Sequence, residues 1–278
     1  GTLGIITKAT LKLVNKPLAR RTFLIACRTD ELALEAAAEL MGSRINPSVF
    51  EFLDTQTVEA AEKQRGSRVF TTEELGGIKE TCAILLVEID GHPSVLADDA
   101  VKVRQWIKKF GVASRETDNE IEAEKLWDIR RTCSQAMYSL GNAKLNEDIV
   151  VPFKSYVDLI KYTREVRDQI GLPTPTFGHA ADGNFHVHIM YNRDNPEHCK
   201  KAEKAIHEVM KKVVELGGAI TGEHGIGIAK SPFLSLQHSS AEISAMKAVK
   251  KALDPNNILA PGQIFEPLNV WEHRPVKV

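Results

Sequence analysis

The sequence predicts an α+β layered fold, in which one sheet is covered by helices. Three observations carry this: strand-like apolar runs alternate with helix-period segments along the chain, Gly and Pro punctuate them at short intervals, and no repeat or low-complexity tract interrupts the pattern. At 278 residues the chain is long enough to bury a sizeable core. Its 43% apolar and 26% charged residues are ordinary for a globular protein.

The opening Gly1-Thr-Leu-Gly-Ile-Ile-Thr7 is a glycine-rich turn, and Ala9, Leu11 and Leu13 then alternate as a half-buried strand does. Arg21 to Arg28 reads as a strand, followed by an Ala- and Glu-rich helix over 30–42. Val49 to Leu53 is a short strand and Thr55 to Lys63 a helix with an apolar stripe, while 64–80 reads as a loop. Thr81 to Asp90 has the continuous apolar centre of a middle strand. Pro93 opens a helix at its first turn and carries it to Phe110. A strand over 111–117, a helix over 119–140, a strand ending at Ile149-Val-Val151 before Pro152, and a helix over 154–170 follow. Two strands flank the turn within 175–191, and a helix over 195–216 stops at Gly217-Gly218. The last quarter is mostly helical up to Asp254-Pro-Asn-Asn257. The helices over 119–140 and 195–216 are expected on one face of the sheet.

Bulk properties narrow the function classes. Lys+Arg of 36 against Asp+Glu of 37 leave a net charge of −1, which gives no global field for nucleic acid or an anionic membrane. No apolar run is long enough to span a bilayer. Cys27, Cys82, Cys133 and Cys199 are scattered without metal-type spacing and read as reduced thiols.

Chemistry concentrates in two segments. In Phe177-Gly-His179-Ala-Ala-Asp-Gly-Asn-Phe-His186-Val-His188-Ile189, Asp182-Gly183 marks a tight turn. After it Phe185, Val187 and Ile189 alternate with Asn184, His186 and His188, so the imidazoles face away from the apolar set. The turn brings His179 toward His186, and imidazoles so placed suit zinc, manganese or iron. The second segment, Gly217 to Gly227, sets Glu223 and His224 among five glycines, anchored by Ile220, Ile226 and Ile228. Glu223 can complete a two-His, one-carboxylate site, leaving His224 to move a proton. His207 and His238, on helical stretches, read as ordinary packed or surface residues, and His188 reads equally as exposed, substrate-contacting or supporting. Spacing alone supports a metal-dependent enzyme, and leaves open a hydrolase in which His224 activates water or a non-catalytic subunit that binds metal and a small acid.

These two segments, in this order and some forty residues apart, resemble the signatures of the FAD-linked oxidase C-terminal family, which includes D-lactate dehydrogenases, the flavin subunit of glycolate oxidase and D-2-hydroxyglutarate dehydrogenases. The opening Gly1–Leu13 resembles the end of the FAD-binding domain that precedes this region in the family. Leu126-Trp-Asp-Ile-Arg130 resembles its arginine-bearing helix, and Leu253–Leu259 with Pro261–Phe265 its C-terminal signature. The resemblance implies a ferredoxin-like antiparallel sheet covered by helices, with a helical C-terminal extension. It implies residues 1–14 as a remnant of the FAD domain, 15–240 as a substrate- and metal-binding cap, and 241–278 as a segment returning to the FAD domain.

By the same resemblance His179, His186 and Glu223 are metal ligands, His224 the catalytic base, and Arg130, His188 and Lys144 substrate contacts. Gly1, Leu3, Gly4 and Ile5 match a stretch that lies along the flavin. The implied activity is oxidation of a D-2-hydroxy acid to a 2-keto acid with FAD, a divalent metal (zinc, manganese or iron), and a quinone, cytochrome or electron-transfer flavoprotein as acceptor. A cytoplasmic, membrane-peripheral or mitochondrial setting and a homodimer are the accompanying expectations. Two departures stand out. Asn146 occupies the place of a lysine in some relatives, with Lys144 two residues earlier, and Ala260 stands where Asn is common before Pro-Gly. The phosphate-cradling glycine loops of an FAD domain lie outside this sequence, so FAD is expected to be held mainly by that domain and the chain to be inactive alone.

Overall fold

Along Ala19–Cys27 (β1), Phe23 and Ile25 face one side and Leu24 and Ala26 the other, and all four are buried. A strand buried on both faces must lie inside a sheet with a helical layer on each side, and the computed structural model, which describes residues 1–266, has this arrangement. Asp30–Met41 (α1), capped by the Thr29 hydroxyl, is followed by Val49–Leu53 (β2) and Thr55–Arg65 (α2), capped by Asp54. Next come Ala83–Gly91 (β3), Pro93–Phe110 (α3), Gly111–Thr117 (β4) and Glu120–Ala136 (α4). The second part comprises Ala143–Val150 (β5), Tyr156–Ile170 (α5), Thr176–His179 (β6), Asn184–Tyr191 (β7) and Pro196–Glu215 (α6). Leu234–Gln237 (α7) and Ser240–Leu253 (α8), the latter opened by a Ser239–Glu242 capping box, complete the described residues.

The seven strands form one antiparallel sheet in the order β4-β1-β3-β2-β6-β7-β5. The first four strands have the ferredoxin-like order. Counting the isolated bridge Val150–Ala219 as the edge beyond β5, the second part repeats that order in mirror sequence, and the two halves join at β2·β6. The expected α+β, ferredoxin-like sheet is therefore the fold of this chain.

Helices α1, α3, α5 and α6 bury one face with Phe23, Phe50, Phe52, Phe185 and Val187. Helices α2 and α4 cover part of the other, over Leu24, Leu53, Leu86 and Phe177. This corrects the expectation that the helices near 119–140 and 195–216 share a face: Ile129 and Cys133 of α4 pack on one side, and Ile206, Val209 and Val213 of α6 on the other. One further expectation changes. Residues 9–13 form no strand and are exposed, because no neighbouring strand among the described residues supplies ladder hydrogen bonds. The strand expected to end before Pro152 is β5, and it starts at Ala143; its first residues are too polar to read as a strand because one face looks into the site. The expected C-terminal segment is helical through α8, and its last residues, 267–278, lie outside the described residues.

Candidate active site

The hairpin β6–β7 turns at Gly183, whose φ of +78° and position 2.2 Å (for an added Cβ) from the Val151 carbonyl admit only glycine. Phe185, Val187 and Ile189 go into the core, so Asn184, His186 and His188 point to the α4 side. Register then sets out a row of four side chains, one from each neighbouring strand. Glu51 on β2 pairs with His179 on β6, and His186 on β7 pairs with Asp148 on β5. His179 and His186 are diagonal neighbours, with ring centroids 5.5 Å apart and planes at 84°.

At one end of the row Glu51, 5% exposed, is a double acceptor. Its Oε1 takes His179 Nδ1–H at 2.5 Å and its Oε2 takes Arg130 Nε–H at 2.6 Å. The Arg130 guanidinium also lies 4.8 Å over the Phe177 ring. Beside it opens a cavity of about 550 Å³, lined by Arg20, Glu51, Glu88, Trp127, Arg130 and His179 among others.

At the other end Asp148 is fully buried and surrounded by donors. It accepts from Asn184 Nδ2 at 2.6 Å, from the Thr221 hydroxyl at 3.1 Å, and from the backbone N–H groups of Gly222, Glu223 and His224 at 2.9–3.0 Å. The buried Lys230 ammonium donates to its carbonyl at 2.5 Å and lies 3.4 Å from its Oδ2. Burial opposes the Asp148 charge, but Asn184, the His224 N–H and Lys230 outweigh it and hold the carboxyl well below the usual range. Asp148 is thus the post to which the Thr221–His224 loop is tied. Gly222 is required there, since an added Cβ would sit 1.6 Å from Asn184 Nδ2.

The tied loop brings Glu223 and His224 over the imidazoles. Glu223 Oε1 lies 3.9 Å from His179 Nε2, 3.9 Å from His186 Nε2 and 3.7 Å from His224 Nε2. The His224 ring stacks on His186 at 5.6 Å. Burial, with His179 and Arg130 adding to it, pushes His186 down to about 4, so its ring is neutral with a free lone pair at ordinary pH. The hydrogen bond to Glu51 raises His179.

Two imidazole nitrogens and a carboxylate oxygen are a donor set for zinc, manganese or iron. Ligands at about 2.0–2.2 Å from a metal stand roughly 3.0–3.5 Å apart, so the half-exposed Glu223 side chain need move little to complete the set. By distance, Asp148, His186, Glu223 and His224 form the tighter group, their ligand-capable atoms all within 4.8 Å. Chemistry argues against Asp148 as a ligand, because its oxygens are already taken by N–H and O–H donors.

Other expected residues lie elsewhere. His188 is 1% exposed, stacks 4.8 Å from Phe177, and donates from Nδ1 to the His186 carbonyl. Lys144 donates to Ser134 Oγ at 3.1 Å and lies over the Tyr138 ring, further along β5. Gly1, Leu3, Gly4 and Ile5 belong to an arm that is mostly exposed, and Leu3 borders an apolar cavity of about 370 Å³ with Ile220, Ile226 and Phe265, next to the Glu223 loop. Glu51 and Lys230 escaped the sequence reading, which put Asn184 on the imidazole face without a role. The one available signal was for Glu51, an acid at the centre of the apolar strand Val49-Phe-Glu-Phe-Leu53.

The chain is 35% identical over 266 residues to the glycolate oxidase subunit GlcD of Bacillus subtilis (strain 168), covering 95% of this chain and 55% of that protein. It is 30% identical over 272 residues to the mitochondrial D-lactate dehydrogenase [cytochrome] of Arabidopsis thaliana, covering 96% and 46%. It therefore spans about half the length of the curated relatives it matches. Among solved structures, p-cresol methylhydroxylase with substrate bound superposes with a TM-score of 0.66 at 17% identity, covering 91% of this chain and 54% of that one. The 4-ethylphenol oxidase of Gulosibacter chungangensis superposes with a TM-score of 0.63 at 15% identity, covering 94% and 56%. These two share the fold. The model of the family described as FAD linked oxidases, C-terminal domain, matches residues 16–264, and the chain belongs to that family.

Proposed function

We propose that the chain is the substrate-side portion of an FAD-dependent oxidoreductase that converts a small D-2-hydroxy acid to the 2-keto acid. The observation that carries this reading is the convergence of His179, His186 and His224 on one Glu223 oxygen, with Arg130 on the far side of His179. Kinship with a glycolate oxidase subunit and a D-lactate dehydrogenase supports the substrate class. Residues 1–14 and 241–278 are proposed to contact the flavin-binding domain, and a quinone, cytochrome or electron-transfer flavoprotein to receive the electrons.

In this reading His179, His186 and Glu223 hold the metal. When bound, the metal would supply Lewis-acid polarisation of the substrate hydroxyl, and FAD would supply the hydride acceptor. Arg130 docks the substrate carboxylate through the Nη end that Glu51 leaves unused, a planar fork suited to two oxygens. His224 takes the hydroxyl proton through Nε2, and the loop tied to Asp148 keeps that ring over the substrate. No described helix is long and apolar enough to cross a membrane.

The test is dye reduction by D-lactate or glycolate with this chain joined to a flavin-binding domain. His224→Ala should cut turnover about 100-fold or more and leave bound metal unchanged, while His179→Ala should empty the metal site. Equal metal loss in both variants would make His224 a ligand. Hydrolysis without flavin reduction would favour the metal-dependent hydrolase.

A further inference from the structure

Glu51 stands at the seam where the two halves of the sheet join, directly opposite His179 in the β2·β6 ladder. The third member of its network, Arg130, comes from α4, which follows the first half of the sheet and leads into the second. A carboxylate can only accept, and Glu51 spends one oxygen on each neighbour: His179 Nδ1–H at 2.5 Å and Arg130 Nε–H at 2.6 Å.

Each bond fixes something at the far side of its partner. A proton held on His179 Nδ1 leaves the lone pair on Nε2, the atom that lies 3.9 Å from Glu223. A guanidinium bonded at Nε, with its Cζ 4.8 Å from the centre of the Phe177 ring, is restrained in turn and in tilt, and its Nη end is left for another partner. Among the described residues no hydrogen bond from that end appears.

We propose that Glu51 is a positioning residue that sets both ends of the substrate site together, presenting His179 Nε2 to a metal ion and the Arg130 Nη edge to a substrate carboxylate. The use of those two ends rests on the hydroxy-acid reading above; the positioning itself rests on the geometry alone. A purely structural buried ion pair is the competing account. It predicts lost stability in a variant and no directed change in His179.

Glu51→Gln separates the two accounts because it is isosteric but chemically one-sided. Glutamine can serve both neighbours only by accepting from Arg130 Nε–H and donating its amide hydrogen to His179 Nδ1. That arrangement moves the imidazole proton to Nε2 and turns the lone pair away from Glu223.

The experiment pairs long-range ¹⁵N–¹H NMR of the His179 ring, at a pH where it is neutral, with titration of zinc or manganese alone into the chain. The wild type should show the Nδ1–H tautomer and Glu51→Gln the Nε2–H tautomer, with metal affinity lower by about 10–100-fold, the usual effect of losing a partner behind a ligand. Glu51→Asp, which keeps the charge and acceptors, should restore the Nδ1–H tautomer and part of the affinity. An Nε2–H tautomer in the wild type, or a wild-type tautomer and metal affinity in Glu51→Gln, overturns the proposal. The wild-type spectrum alone decides the first point should Glu51→Gln fail to fold. If the wild type takes up neither metal, the metal reading of the site fails, while the tautomer comparison still decides the role of Glu51.

Discussion

Asp148 and Glu147 are neighbours in sequence with opposite fates, and the reason is the two-residue period of a strand. Asp148 faces the site, where six donors surround it. Glu147 faces the other side of β5, opposite Val187, and its buried Oε2 has no hydrogen-bond partner among the described residues. Burial pushes its carboxyl up to about 7; nearby Lys230 lowers it and Asp148 raises it further, neither changing the outcome. The folded value lies above the ordinary 4.5, so the folded chain keeps a proton that the unfolded chain releases between those limits. Stability from this group is therefore full below pH 4.5 and declines as pH rises through about 7. Glu147→Gln cannot ionise and should escape the decline, gaining about 3 kcal/mol relative to wild type between acidic and mildly alkaline pH. Urea unfolding of both proteins at two pH values measures this; parallel pH profiles would refute it.

At the scale of elements, β5 and the Gly217–Lys230 loop form one unit through Asp148. Asp148→Asn must keep its oxygen toward the N–H groups of Gly222, Glu223 and His224, which sets its new amide hydrogens against Asn184 Nδ2, and it removes the carboxylate charge 3.4 Å from the buried Lys230 ammonium. The expected cost is about 3–5 kcal/mol, as for breaking one side of a buried pair. Metal uptake should be lost with it, since Glu223 is no longer held over the imidazoles; retained uptake would show that the loop is positioned by its other contacts. Dependence of this kind also explains what could be read from the sequence. The β6–β7 hairpin and its imidazole face were legible because Asp182-Gly183 and strict alternation are local signals. Nothing local ties Asp148 to a loop 74 residues on, or Glu51 to an arginine 79 residues on. The start of β5 was not legible because a strand with a polar functional face loses the apolar pattern by which strands are recognised.

Over the whole molecule, the paired halves of the sheet explain why the site lies where it does. Elements of both halves meet at β2·β6, and α4 covers part of the face on which Glu51, His179 and His186 stand, with the cavity beside Arg130 open next to it. Fold class and element order were legible from period and punctuation. The repeat of topology was not, because it lies in strand order and in the burial of facing residues rather than in recurring letters. The face assignment of α4 and α6 failed for the same reason: amphipathic helices of either layer look alike in sequence.

The arm before β1 is where the molecule as a whole makes its own prediction. Ile5, Ile6, Leu11, Leu13 and Val14 are 77–90% exposed, an apolar series of a kind seldom left in water. The alternation of Ala9, Leu11 and Leu13 suits a half-buried strand, yet no strand among the described residues pairs with it. Both facts are met if the flavin-binding domain supplies the missing ladder and the missing apolar surface. Amide hydrogens of residues 2–14 should then exchange in this chain at the rate of an unstructured peptide, and be strongly protected once the chain is joined to that domain. The Leu3 edge of the apolar cavity beside the Glu223 loop should gain protection in the same experiment, because arm and loop share that wall. Fast exchange of the arm in the joined protein would detach it from the flavin domain, and with it the proposed role of Gly1, Leu3, Gly4 and Ile5 along the flavin.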